Sequence, residues 1–255
     1  MGRIARTALE KFNEQIKKEY QADFVIANAE NLSQGKGVSE RTLDQMLACG
    51  IDFFTSGNHI FDKSSAIPIF EQDKYPIVRP ANYPPQAPGS GYKIIEIGVR
   101  KICVINLMGR VFIRENFDCP FRAMDQILEQ IKNENLSAII VDIHAEATSE
   151  KQGLMHYLDS KVSAVIGTHT HVQTADEQIS ENGTAYISDA GMVGAKNAIL
   201  GVEAKGAIKN FLTQIPEPQA IPDTGTCILN GVFLEIDCNT KKAIQFSRIN
   251  KEVGI

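Results

Sequence analysis

The chain is 255 residues long, 43% hydrophobic and 22% charged, with a net charge of −5. Those values suit one large globular domain over residues 1–255 with a sizeable core, and leave little room for a second. No run of about 18 apolar residues occurs, so no membrane span is expected. The acidic balance argues against an extended nucleic-acid partner but not against a small phosphorylated substrate held by metal ions.

The N-terminus lacks the apolar stretch and cleavage site of a signal peptide. Ile4, Ala8, Phe12, Ile16 and Tyr20 recur every fourth position and predict an amphipathic helix over 4–20. DFVIAN (23–28) reads as a buried strand, Ser39 as the cap of a helix ending at Gly50, and IDFFT (51–55) as the next strand. A third helix follows Asp62, and the proline-rich stretch 75–91 is a loop. YKIIEIGV and KICVINL form a hairpin over 92–107, followed by a helix over 121–134. Strands follow at 137–143, 162–167 and 184–188, then a helix over 203–214 and a last hairpin turning at Asp237–Thr240. This alternation predicts an α/β protein with a mainly parallel sheet and added antiparallel strands. The five cysteines show no CxxC spacing and read as reduced thiols of a cytoplasmic protein, so any metal would take nitrogen and oxygen ligands.

Four polar clusters follow apolar strand runs: Glu30-Asn31, Gly57-Asn58-His59, His144 with Glu146, and His169-Thr170-His171. Ligands bind at the carboxyl ends of strands in open α/β sheets, so the four would converge on one site. Each also has an ordinary reading. Glu30 could be a solvated strand end, Asn58-His59 a helix cap, His144 a hydrogen-bonded structural residue, and His169 and His171 a polar turn. His156, with no polar cluster beside it, is taken as structural. Together one carboxylate, two amides and three imidazoles, with His59 to spare, suit two borderline cations such as Fe, Mn or Zn. Two such ions about 3.5–4 Å apart can share a hydroxide nucleophile for displacement at phosphorus. No G-x-S-x-G elbow, Walker or Rossmann motif offers another chemistry.

The segments AEN, SGNHIFDK, VRPANYP, VINLMGR, DIHAEATSEK, VIGTHTHVQTAD and TAYISDAGM, in this order over essentially the whole chain, resemble the YmdB-like branch of the calcineurin-type metallophosphoesterases. The resemblance implies a four-layer αββα sandwich of two mixed sheets. It implies a bacterial cytoplasmic phosphodiesterase, homo-oligomeric, with two divalent or trivalent metal ions, acting on cyclic nucleotides of the 2′,3′ type. It also implies roles: Glu30 as bridging carboxylate, Asn31 and His171 on one metal, Asn58, His144 and His169 on the other, and His59 as general acid. Arg110 and Thr148 are substrate-binding candidates by their place in matching motifs. In the family pattern a strand ending in Gly-Asp precedes the segment matching Met1-Gly2-Arg3, and its Asp holds the first metal. The expectation is therefore a longer protein read from an upstream start, with a gap beside residues 23–28 and an uncovered apolar face on the first helix in the sequence as it stands. The alternative is a metal-binding regulatory protein with weak or no catalysis, its first site incomplete. Metallophosphatase-like proteins of capsule synthesis share the Asn-His and His-x-His pairs but not AEN or HAEATSEK.

Overall fold

The structure, a computed structural model, describes all 255 residues. In chain order the elements are α1 (Gly2–Glu19), β1 (Ile26–Asn28), α2 (Glu40–Ala48), β2 (Phe53–Thr55), α3 (Ala66–Glu71), β3 (Tyr92–Ile97), β4 (Arg100–Met108), α4 (Pro120–Ile131), β5 (Ala138–His144), α5 (Thr148–Leu158), β6 (Ala164–Thr168), β7 (Gln178–Ile179), β8 (Ala185–Ile187), β9 (Val193–Ala195), α6 (Ala204–Thr213), β10 (Thr226–Ile236) and β11 (Ala243–Gly254). Ser39 caps α2 as expected. Its hydroxyl accepts from Thr42 N–H while the Thr42 hydroxyl accepts from Ser39 N–H, a reciprocal cap worth about 1 kcal/mol. No helix is long and apolar enough to cross a membrane.

The layers follow from which faces are apolar. A six-stranded mixed sheet, in the order β3-β4-β5-β6-β8-β7, carries α4 and α5 on its outer face over a core that includes Ile105, Val141, Ile143, Met124 and Leu154. Its inner face meets a second β layer through Val104, Ala138 and Phe53, and through Ala164, Ala185 and Ala243. Helices α2 and α3 cover the parallel pair β1-β2, and α1 covers β9 and β10. This is the expected αββα arrangement, and its second β layer is split. It consists of the parallel pair β1-β2 and the antiparallel triple β11-β10-β9, with no ladder between them. A cavity of about 910 Å³ separates the two, walled by Ile26, Phe54, Ile140, Val232 and Phe233 among others.

The gap expected beside residues 23–28 coincides with this cavity. The first helix is covered in its N-terminal half, where Ile4 and Ala8 are buried against Ala195, Cys227 and Leu229, while Leu9, Ile16 and Tyr20 line the cavity. The strand of 23–28 is also shorter than its apolar run, since Val25 N–H is taken by the Asp52 carboxylate before β1 begins.

Candidate metal centre

Glu30 lies two residues beyond β1, Asn58 three beyond β2, His144 ends β5, and His169 directly follows β6. Parallel pairing puts His144 opposite Thr168 in register, so the ends of β5 and β6 are level. The sheet geometry thus brings these polar clusters to one edge. His144 Nε2 lies 3.1 Å from Glu30 Oε2, 3.0 Å from His169 Nδ1 and 3.2 Å from Asn58 Oδ1. Ligand atoms of Glu30, His144 and His169 all fall within 4.8 Å of one another. Beside them, His171 Nε2 lies 3.1 Å from Asn31 Oδ1. His59 stands at the rim: its N–H reaches Glu30 Oε2 at 3.3 Å and its Nδ1 lies 2.9 Å from Asp62 Oδ2.

Hydrogen-bond arithmetic shows what these atoms lack. Thr168 Oγ1 gives its own hydrogen to Asp142 Oδ1 at 2.6 Å, so toward His144 Nδ1, 2.9 Å away, it can only accept. Glu146 faces His169 Nε2 at 3.0 Å, and the Leu200 carbonyl faces His171 Nδ1 at 3.1 Å. Each of the three rings therefore spends one N–H on an acceptor behind it and turns its other nitrogen, with a lone pair, toward further acceptors. Asn31 does the same, because its amide hydrogens go to the Gly35 carbonyl and leave Oδ1 facing His171. Acceptors gathered on acceptors repel unless positive charge sits among them. Metal-binding histidines characteristically carry such a partner on the rear nitrogen. The donor set, mixed nitrogen and oxygen, fits borderline divalent ions.

Backbone space is arranged to match. A Cβ on Gly57 would lie 2.2 Å from Glu30 Oε2 and 2.5 Å from His144 Nε2, so only glycine lets the loop after β2 pass this close. Gly167 is equally constrained: a Cβ there would lie 1.8 Å from the Ser188 carbonyl oxygen.

The electrostatics follow from burial and charge. Burial would raise the Glu30 carboxyl, but the facing His144 ring and the His59 N–H outweigh it and hold the group at about 2. Burial would lower His144, yet Glu30 and then Asp142 raise it. Burial and the His144 charge bring His169 down to about 4, against the pull of Glu30 and Glu146. His171 is lowered chiefly by burial. His144 is thus the one ring of the three that takes up a proton more readily than a free imidazole, and a proton on its Nε2 would occupy the lone pair that a cation would use.

All seven residues named from the sequence lie in this region, six of them in the two facing groups and His59 at the rim. His156 is exposed on α5. Arg110 is exposed after β4, its N–H on Glu150, and Thr148 begins α5. Sequence reasoning passed over Asp142, Thr168, Lys151 and Asp189, all of which bond to the site or its supports. The signal was an aspartate inside the apolar run AIIVDIH.

A family model described as YmdB-like protein matches residues 1–249. A Bacillus subtilis (strain 168) protein named 2′,3′-cyclic-nucleotide 2′-phosphodiesterase is 40% identical over 249 residues, 98% of this chain and 93% of that protein. Among solved structures, one described as a novel phosphatase from Mycoplasma pneumoniae superposes with a TM-score of 0.90 at 34% identity, covering 98% of this chain and 89% of the other. A hypothetical protein from Thermus thermophilus gives 0.88 at 35%, covering 97% and 94%. With residues 1–249 matched by the family model and a 40% identical relative over nearly the full length, the chain belongs to the YmdB-like family.

Proposed function

We propose that this chain is a metal-dependent phosphodiesterase that opens cyclic nucleotides, those of the 2′,3′ type first. The observation that carries the reading is the convergence of Glu30, His144 and His169 within 4.8 Å, with Asn58 beside them and the Asn31–His171 pair adjacent. The name of the B. subtilis relative supports the substrate class. In this reading Asn31 and His171 would hold one ion, Asn58, His144 and His169 would hold a second, and the Glu30 carboxylate would serve both. Bound there, Fe, Mn or Zn would supply Lewis acidity, stabilising negative charge on the phosphoryl group and making water nucleophilic at neutral pH.

The chain's own groups do the rest. Glu30, buried and ionised, fixes the negative charge that draws cations to this point. His59 Nδ1 faces Asp62, which would stabilise the doubly protonated ring; the Nε2–H of that form would be the proton handed to the departing ribose oxygen, leaving a neutral ring with its Nδ1–H on Asp62. We place the enzyme in the cytoplasm and expect it to self-associate.

The test is hydrolysis of 2′,3′-cyclic AMP by the purified chain reconstituted with Mn²⁺ or Fe²⁺, beside a plain monoester. Turnover of the cyclic diester supports the reading. Monoester cleavage without diester cleavage would overturn it.

A further inference from the structure

Asp142 is an acid in the interior, and nothing in the proposed chemistry uses it directly. Its carboxylate is buried, and every contact it makes is to a strand end. Oδ2 accepts from Thr55 Oγ1 at 2.5 Å and from Asn28 Nδ2 at 3.1 Å; Oδ1 accepts from Thr168 Oγ1 at 2.6 Å. Asn28 closes β1, Thr55 closes β2, Thr168 closes β6, and Asp142 itself stands two residues before the end of β5. One carboxylate therefore ties together the four strand ends from which Glu30, Asn58, His144 and His169 project, across two separate sheets. Asp142 and His144, two apart on a strand, share a face. Thr168 links them, donating to the carboxylate and accepting from His144 Nδ1 at 2.9 Å.

We infer that Asp142 and Thr168 are positioning residues for the metal centre: the carboxylate orients the Thr168 hydroxyl, and that hydroxyl holds His144 in the form whose Nε2 lone pair faces Glu30, Asn58 and His169. The inference rests on the metal-site reading above. Without the Thr168 hydroxyl, His144 would have no acceptor on Nδ1 and the ring could turn or take the other tautomer. Loss of such a partner behind a ligating histidine weakens metal binding by roughly 10–100-fold.

Thr55 provides the control. Thr55→Val and Thr168→Val each remove one hydroxyl from the same carboxylate, but only Thr168 touches His144. Mn²⁺ affinity is measured by chelator competition, and the unfolding midpoint is measured on the metal-free protein. Thr168→Val should lose roughly 10–100-fold in affinity. Thr55→Val should lose stability to a similar extent with affinity within about 3-fold of wild type, and Thr168→Ser should bind as wild type does. Equal affinities for Thr55→Val and Thr168→Val would overturn the inference. Should Thr168→Val not fold, the nitrogen spectrum of the Zn²⁺-loaded wild type decides: a proton on His144 Nδ1 supports the relay, and one on Nε2 overturns it. Wild-type protein that binds no metal would instead refute the metal reading, and the inference with it.

Discussion

Lys151 Nζ lies 3.1 Å from Asp189 Oδ2, with both side chains only 2% exposed. The same Oδ2 accepts from Thr170 N–H at 2.8 Å, and Oδ1 accepts from Gly191 N–H at 2.9 Å. Thr170 sits between two residues in left-handed backbone, His169 at φ 110° and His171 at φ 66°. Such backbone costs on the order of 1–3 kcal/mol per residue and persists only where surrounding contacts enforce it. Removing one partner of a buried ion pair leaves the other charge uncompensated, at about 3–5 kcal/mol. Lys151→Met should therefore destabilise the protein by that amount in denaturant titration. Adding Asp189→Asn should recover much of the loss, since the amide oxygen can still receive Thr170 N–H. A single-variant cost below about 1 kcal/mol would put the pair among those with no net role.

Gly57 gives a way to damage the centre without removing any proposed ligand. Its absent Cβ is the space that Glu30 and His144 occupy. Gly57→Ala must push both aside, and we expect metal content measured by elemental analysis to fall sharply in a protein that still unfolds cooperatively. Wild-type metal content in that variant would show that the two side chains can yield without loss of ligation.

Ligand and proton donor should separate by mutation. His144→Ala or His169→Ala removes a nitrogen from the converging group and should lose the metal held there and nearly all turnover. His59→Ala leaves that group intact and should keep its metal while kcat falls by roughly 10²–10⁴, the usual yield of general acid catalysis. Metal loss in His59→Ala would move His59 into the ligand set.

The strand-end clusters were legible because each follows an apolar run, and in an α/β sheet those ends gather at one edge. Pairing was less so. His171 can be placed against Asn31 from their distance, 3.1 Å, but no spacing rule links residues 140 apart. Asp142 escaped notice because a sequence shows that a strand contains an acid, not that three neighbouring strand ends satisfy it. The stretch around His156 reads as helical, but the buried charges of α5 were not legible, for a related reason. Its buried Glu150 and Lys151 break the amphipathic pattern, being held by the Arg110 and Val111 N–H groups and by Asp189. The split of the second β layer lies beyond periodicity altogether, since the pattern of a strand does not say which edge is paired.

The charge balance of the centre predicts how loading depends on pH. In the metal-free protein His144 is raised above its ordinary value of 6.5, burial opposing and the Glu30 carboxylate prevailing, so at pH 6 it carries a proton. Glu30 stays ionised down to about 2, and His169 stays neutral down to about 4. A cation entering between Glu30 and His144 must displace the His144 proton, because the same Nε2 cannot serve both. Loading at pH 6, below the ordinary imidazole value and so below the raised one, should therefore release about one proton per chain. Calorimetry in buffers of different ionisation enthalpy measures that number directly. The sign follows: apparent affinity falls as pH drops through the raised His144 value, and falls more steeply only near pH 4, where His169 begins to protonate. Binding enthalpy that is the same in every buffer at pH 6 would mean His144 is already neutral there, and that Glu30 does not hold its proton.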